Sequence, residues 1–168
     1  MHAPDDQIRA WCRDGDQRSF DAFFRVQADR LWRFLVARGT DPEAAYDLVA
    51  TTFERFVATV CRRPDAPVAL LYRIARNAST DAWRRQQVRD PGTALDAAEV
   101  GVDGDRAEHL AEVDQLLAGL DPVDRDLLLL RYWAGLTHRE TAEVVDLPEG
   151  TVRRRVAGLL QRLAPDTG

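Results

Sequence analysis

The sequence predicts an all-α protein made of two small helical domains. Two observations carry that prediction. Apolar residues recur at spacings of three and four along most of the chain, and valine, isoleucine and aromatic residues nowhere alternate with period two for long enough to make a strand. An acidic, aperiodic stretch containing glycine, "DPGTALDAAEVGVDGDRAE" (90–108), interrupts the helical pattern in the middle and has the composition of a flexible linker. The expected division is therefore 1–89, a linker at 90–108, and 109–168.

The elements follow in order. "FDAFFRVQADRLWRFLVARG" sets Phe20, Phe23, Phe24, Leu31, Phe34 and Leu35 on one helical side and stops at Gly39. Asp41-Pro42 is an N-cap followed by proline in the first turn, opening a helix to about Thr59. "RRPDAP" breaks the chain with two prolines, and a further helix runs from about Val68 to Arg89. It buries Leu71, Ile74, Ala75, Ala78 and Ala82, and the same wheel gathers Arg73, Asn77, Thr80 and Arg84 in one outward stripe. After the linker the pattern resumes in "HLAEVDQLLAGL" and "PVDRDLLLLRYWAG". Thr137 and Glu140 then form a capping box, T-x-x-E, at the start of a short helix. "DLPEG" is a tight connection, and Val152, Val156, Leu159 and Leu163 define the buried seam of a last helix. Arg154 points away from that seam, with Thr151 beside it and Arg153 and Arg155 flanking. Two short helices of which the second presents threonine and arginine match a helix-turn-helix that reads the major groove of DNA.

With 168 residues and a formal net charge of −5, the average composition argues against a nucleic-acid partner, but the charge is segregated. From 73 to 89 five arginines face one aspartate, a local +4; from 90 to 114 eight acids face Arg106, a local −7. No run approaches the ~20 apolar residues of a membrane span, and "MHAPDDQIRAWC" has neither part of a secretory signal, so a cytoplasmic protein is expected. Cys12 and Cys61 lie far apart in no C-x-x-C pair and are expected to be reduced packing thiols. His2, His109 and His138 form no metal-spaced set, and no glycine-rich phosphate loop follows a strand, so neither an enzyme nor a cofactor is expected.

Together, "LYRIARNASTDAWRR" and "LDPVDRDLLLLRYWAGLTHRETAEVVDLPEGTVRRRV" resemble the two signature regions of an extracytoplasmic-function sigma factor of the sigma-70 family, over about residues 16–164. The resemblance implies that the first domain binds the β′ clamp helices of RNA polymerase core and opens the minus-10 element. It implies that the second binds the minus-35 element and the β flap. Arg73, Asn77, Thr80 and Arg84 fall on the minus-10 surface, Asn77 matching the asparagine that reads a flipped base beside the loop "CRRPDAP". Gly150, Thr151, Arg153, Arg154 and Arg155 fall on the minus-35 helix. An anti-sigma factor is a further partner the family admits.

One short stretch departs from the family pattern. Where typical members read like DAEDLVQETF and use those acids to meet arginines on the clamp, this chain has Ala44, Ala45, Tyr46, Asp47, Leu48, Val49, Ala50, Thr51, Thr52 and Phe53. Alanine, tyrosine and threonine replace acids at 44, 46 and 51, and Asp47 remains. The polymerase-binding set expected here is Ala44, Tyr46, Asp47, Thr51 and Glu54. A wheel puts Thr52 in the apolar stripe and Thr51 on the exposed side, so Thr51 is the expected target of a Ser/Thr protein kinase that restores the missing charge. The alternative is a degenerate sigma-like DNA-binding regulator that does not recruit polymerase.

Overall fold

The computed structural model describes residues 3–89 and 115–164. The chain divides into two compact units, Met1–Ala98 and Glu99–Gly168. Among the described residues there are helices and turns and no strand, as the spacing requires. The expected linker at 90–108 lies outside the described residues.

The first unit holds helices α1 (Ala3–Asp14), α2 (Gln17–Ala37), α3 (Pro42–Thr59) and α4 (Pro67–Arg89), with a single 3-10 turn, Val60–Arg62, after α3. Asp16 caps α2, accepting from the Arg18 amide at 3.2 Å and the Ser19 hydroxyl at 2.6 Å. The Ser19 hydroxyl holds the Asp16 carboxyl below its ordinary range. Gly39, at φ +96°, ends the turn that follows α2, where a β-carbon would be strained. Asp41 caps α3 through the amides of Glu43 and Ala44, both at 3.1 Å, with Pro42 in the first turn.

The core of this unit is aromatic and aliphatic. Ile8, Phe23, Leu31, Phe34, Leu35, Phe56, Leu71 and Tyr72 are fully enclosed. Phe23 stacks on Phe56 with centroids 5.6 Å apart, and Phe34 meets Tyr72 edge-on at 5.0 Å. Burying each such side chain contributes about 1.5–3 kcal/mol. Phe24 departs from its expected place: it is 42% exposed, and meets Phe53 edge-on at 4.8 Å. Phe20 is half-buried under Trp11, ring to ring at 4.8 Å. The apolar arc of α2 is wider than the face its neighbours bury. Ile74 and Ala82 of α4 are likewise only half-buried, while Leu71, Ala75 and Ala78 are buried as expected.

The cysteines correct the expectation. Cys12 and Cys61 are joined in a disulfide, 49 residues apart in sequence and 5.3 Å apart between Cα atoms. Distance along the chain said nothing about distance in space: α1, which the sequence did not announce, returns to lie against the turn that follows α3.

In the second unit residues 115–118 are helical, followed by α5 (Pro122–Leu128), a π turn (Leu129–Trp133), α6 (His138–Val145) and α7 (Glu149–Leu163). Asp121 caps α5 through the Val123 amide at 3.0 Å. The expected capping box on α6 is complete: Thr137 accepts from the Glu140 amide at 3.1 Å, and Glu140 accepts from the Thr137 amide at 3.0 Å. Helix α6 ends on Asp146 in the left-handed region, φ 57°, which turns the chain into Pro148 and α7. Leu127, Leu130, Leu136, Val152, Val156 and Leu159 form the core, and Leu163 at the end of the seam is half-buried.

Candidate nucleic-acid interface

Three surfaces carry the predicted residues. On α7 the apolar seam turns Gly150, Arg153 and Arg154 outward, with Thr151 half-buried. Arg153 bonds Glu149 at 2.6 Å, an exposed pair worth a few tenths of a kcal/mol that DNA phosphate can displace. Arg154 reaches Thr151 Oγ1 at 3.4 Å, so its guanidinium is held loosely over the start of the helix. A β-carbon at Gly150 would meet Arg154 Nη1 at 3.5 Å, an ordinary contact. Arg155 differs from its two neighbours. Its guanidinium lies on Asp124 at 2.8 Å, with Asp121 at 3.6 Å, and so fastens α7 to α5. A side chain held by two carboxylates is a bracing group first, and the sequence could not show it because those acids lie 31 and 34 positions away.

His138, at the first turn of α6, has its pKa pushed down by desolvation, with the positive charges of Arg131 and Arg153 adding to the effect. That shift favours the neutral imidazole, and the fixed positive charge of this face is carried by arginine.

On α4, Arg73, Asn77 and Arg84 are exposed and Thr80 is half-buried, at spacings of four, three and four that keep them in one stripe. Trp83, which the sequence reading passed over, is 51% exposed next to Arg84. An exposed tryptophan among arginines is a platform on which an unpaired base can stack; the dipeptides Ala82-Trp83 and Arg84-Arg85 were the available signal. The helix ends in a depression lined by Arg84, Arg85, Val88 and Arg89.

On α3, Ala44, Tyr46, Asp47 and Glu54 are exposed. Tyr46 packs on Trp32 with the ring centroids 5.5 Å apart and the planes tilted by 33°, and the Trp32 indole N–H donates to the Pro42 carbonyl at 3.0 Å. The two threonines separate, though less widely than expected. Thr52 is fully buried and donates to the Leu48 carbonyl at 2.6 Å, whereas Thr51 is half-buried rather than open. Among the described residues no group of three His, Cys, Asp or Glu side chains could hold a metal ion, and no helix is long and apolar enough to cross a membrane.

Two helical units, one ending in a capped helix-turn-helix and the other carrying an arginine-asparagine stripe, define a DNA-binding protein of the transcription-initiation class. The family comparisons agree on which one. Sigma-70 region 2 matches residues 14–89 and Sigma-70 region 4 matches residues 110–163, and the chain belongs to the extracytoplasmic-function sigma factors of the sigma-70 family. It is 35% identical over 159 residues to the ECF RNA polymerase sigma factor SigC of Mycobacterium tuberculosis, covering 90% of this chain and 85% of that protein. It is 28% identical over 152 residues to the RNA polymerase sigma-E factor of Streptomyces avermitilis, covering 89% and 85%. Two solved structures share the fold. One is the sigma factor RpoE with the anti-sigma factor NepR from Bartonella quintana, with TM-score 0.67, 19% identity and coverage of 87% and 94%. The other is CnrH with the cytosolic domain of CnrY, with TM-score 0.61, 23% identity and coverage of 99% and 100%. The chain is thus an alternative RNA polymerase sigma factor, and family members act as initiation factors rather than enzymes.

Proposed function

We propose that this sigma factor binds polymerase core weakly until Thr51 is phosphorylated. Ala44, Tyr46, Asp47, Thr51 and Glu54 of α3 form the face for the β′ clamp helices. The observation that carries the reading is the exchange of acids for alanine, tyrosine and threonine on that face, with Thr51 standing where an acid is lost. Thr52, enclosed and bonded to its own helix, is excluded as the target. A phosphoryl group brings about −1.5 to −2 charges and three acceptor oxygens. Two arginine contacts of about 1.5–3 kcal/mol each would then change affinity by ~10²–10⁴-fold. Repulsion from Asp47, one turn away, subtracts only a few tenths of a kcal/mol on an exposed helix. Because Thr51 is half-buried, a kinase needs the surrounding turn of α3 to open slightly.

In the same reading Arg73, Asn77, Thr80 and Arg84 act at the minus-10 element, Asn77 on a base drawn out of the stack. Gly150, Thr151, Arg153 and Arg154 meet the minus-35 element, with Arg155 bracing them. One structural neighbour, RpoE of Bartonella quintana, is a complex with the anti-sigma factor NepR, which supports an anti-sigma partner beside the kinase.

The test compares core binding by three forms: unmodified, phosphorylated at Thr51, and Thr51→Ala after the same kinase treatment. The phosphorylated form alone should bind tightly and start transcription. Nanomolar binding by the unmodified form would remove the switch. Binding by none of the three would favour a DNA-binding regulator that has lost polymerase.

A further inference from the structure

Helix α1 begins ahead of the matched family region and lies antiparallel to the segment 61–68 that leads into α4. Three of its side chains, at spacings of four and three on one face, each hold a different point of that segment. The Asp5 carboxylate, itself 4% exposed, accepts from the Val68 amide at 2.9 Å. The Arg9 guanidinium donates to the carbonyls of Pro64 at 3.1 Å and Asp65 at 2.6 Å. Cys12 is bonded to Cys61. The first two fastenings are hydrogen bonds that do not depend on redox state. The third opens and closes with redox state.

That third fastening is also reachable. Cys61 is exposed and Cys12 half-buried, so the pair lies at the surface of the unit, where small oxidants and thiol reagents approach it from the Cys61 side. Inside bacterial cells thiols are held reduced, and the disulfides that do form there are mostly transient and redox-sensing. We propose that Cys12 and Cys61 are a redox modification site, and that their disulfide latches the loop ahead of α4 in the position from which the minus-10 element is captured. This rests on the assignment of α4 and that loop to the minus-10 element.

The chemistry balances with a peroxide as oxidant. One thiolate attacks the O–O bond, becomes a sulfenic acid and releases hydroxide. The second thiol then displaces the sulfenic oxygen as water and forms the S–S bond, so two electrons pass from the thiols to the peroxide. Reopening takes two exchanges with a dithiol, which leaves as its own disulfide while both protein cysteines regain protons. The latched loop has its ordering cost already met before DNA arrives, so the oxidised form opens promoters better.

The experiment uses the full chain and the form of it that binds core, with core raised until binding saturates in both redox states. Hydrogen peroxide prepares one state and dithiothreitol the other, and thiol labelling verifies each. Run-off transcription on sheared genomic DNA locates promoters, and permanganate reactivity of thymines reads opening at the minus-10 element. The oxidised form should open roughly 3–10-fold more promoter at equal time, and the double variant Cys12→Ser/Cys61→Ser should show no redox response. Because the wild-type chain supplies both states, the outcome does not depend on the variant folding. Equal opening by verified oxidised and reduced protein overturns the proposal, and so do thiols that stay free after peroxide. Asn77→Ala is run alongside. Full opening by that variant removes the minus-10 assignment and the proposal with it. A defective Asn77→Ala with matched redox states means that the latch alone has failed.

Discussion

Tyr72 shows how far its surroundings can set the chemistry of a single buried group. Its side chain is fully enclosed against Phe34, and burial pushes its pKa up to about 12, with the nearby Arg30 charge offsetting part of the shift. The folded value lies above the ordinary value of 10, so the neutral phenol is what the fold holds. The associated stability is fully present below pH 10 and is lost as the pH rises from there through about 12. An absorbance titration at 295 nm should show one tyrosine ionising late, together with unfolding. Tyr72→Phe should remove that late phase and extend the alkaline limit of the first unit. At the same scale, Arg153, Arg154 and Arg155 are adjacent and identical in sequence, yet only the last is anchored between Asp121 and Asp124. Residue type is legible in a sequence; the partner that decides its role is not.

Among the elements, those with local signals were legible and α1 was not. The caps at Asp41 and Thr137, the proline break before α4 and the seam of α7 all depend on residues within one or two turns, and each lies where the sequence placed it. Helix α1 has acids in its first turn and only Ile8 fully enclosed, and its meaning comes from residues more than fifty positions away. For the same reason the exposure of Phe24 and the pairing of the cysteines escaped a helical wheel, which knows a helix's faces but not how many neighbours cover them. Asp5 measures the tie. Its carboxylate serves a first-turn amide of α4 that has no partner within its own helix. Asp5→Ala should destabilise the first unit by about 1–3 kcal/mol, leaving a buried donor unmet. Urea unfolding gives the magnitude. Faster amide exchange at Val68, ahead of exchange in the rest of α4, would locate the loss. Unchanged exchange there would mean that the buried carboxylate serves another group.

At the level of the whole molecule, the two units have separate cores, and the cross-link lies within one of them. Cys12–Cys61 closes a loop within the first unit, while no cysteine occurs in the second. For a separation of 49 residues the chain-entropy estimate is about 4 kcal/mol, at the upper end of the 2–4 kcal/mol usually measured. In a unit of this size each kcal/mol moves the midpoint by about 4–8 °C. Calorimetry of the full chain should therefore show two transitions, and a reductant should lower the one belonging to the first unit by roughly 8–32 °C while leaving the other in place. A single transition that moves as one would mean that the units unfold together. Two transitions, neither responsive to reductant, would mean that the bond adds nothing to stability. The physical logic favours the selective shift. The bond and both its cysteines lie within the first unit, so losing it removes a constraint from that unit's unfolded chain and none from the helix-turn-helix unit's.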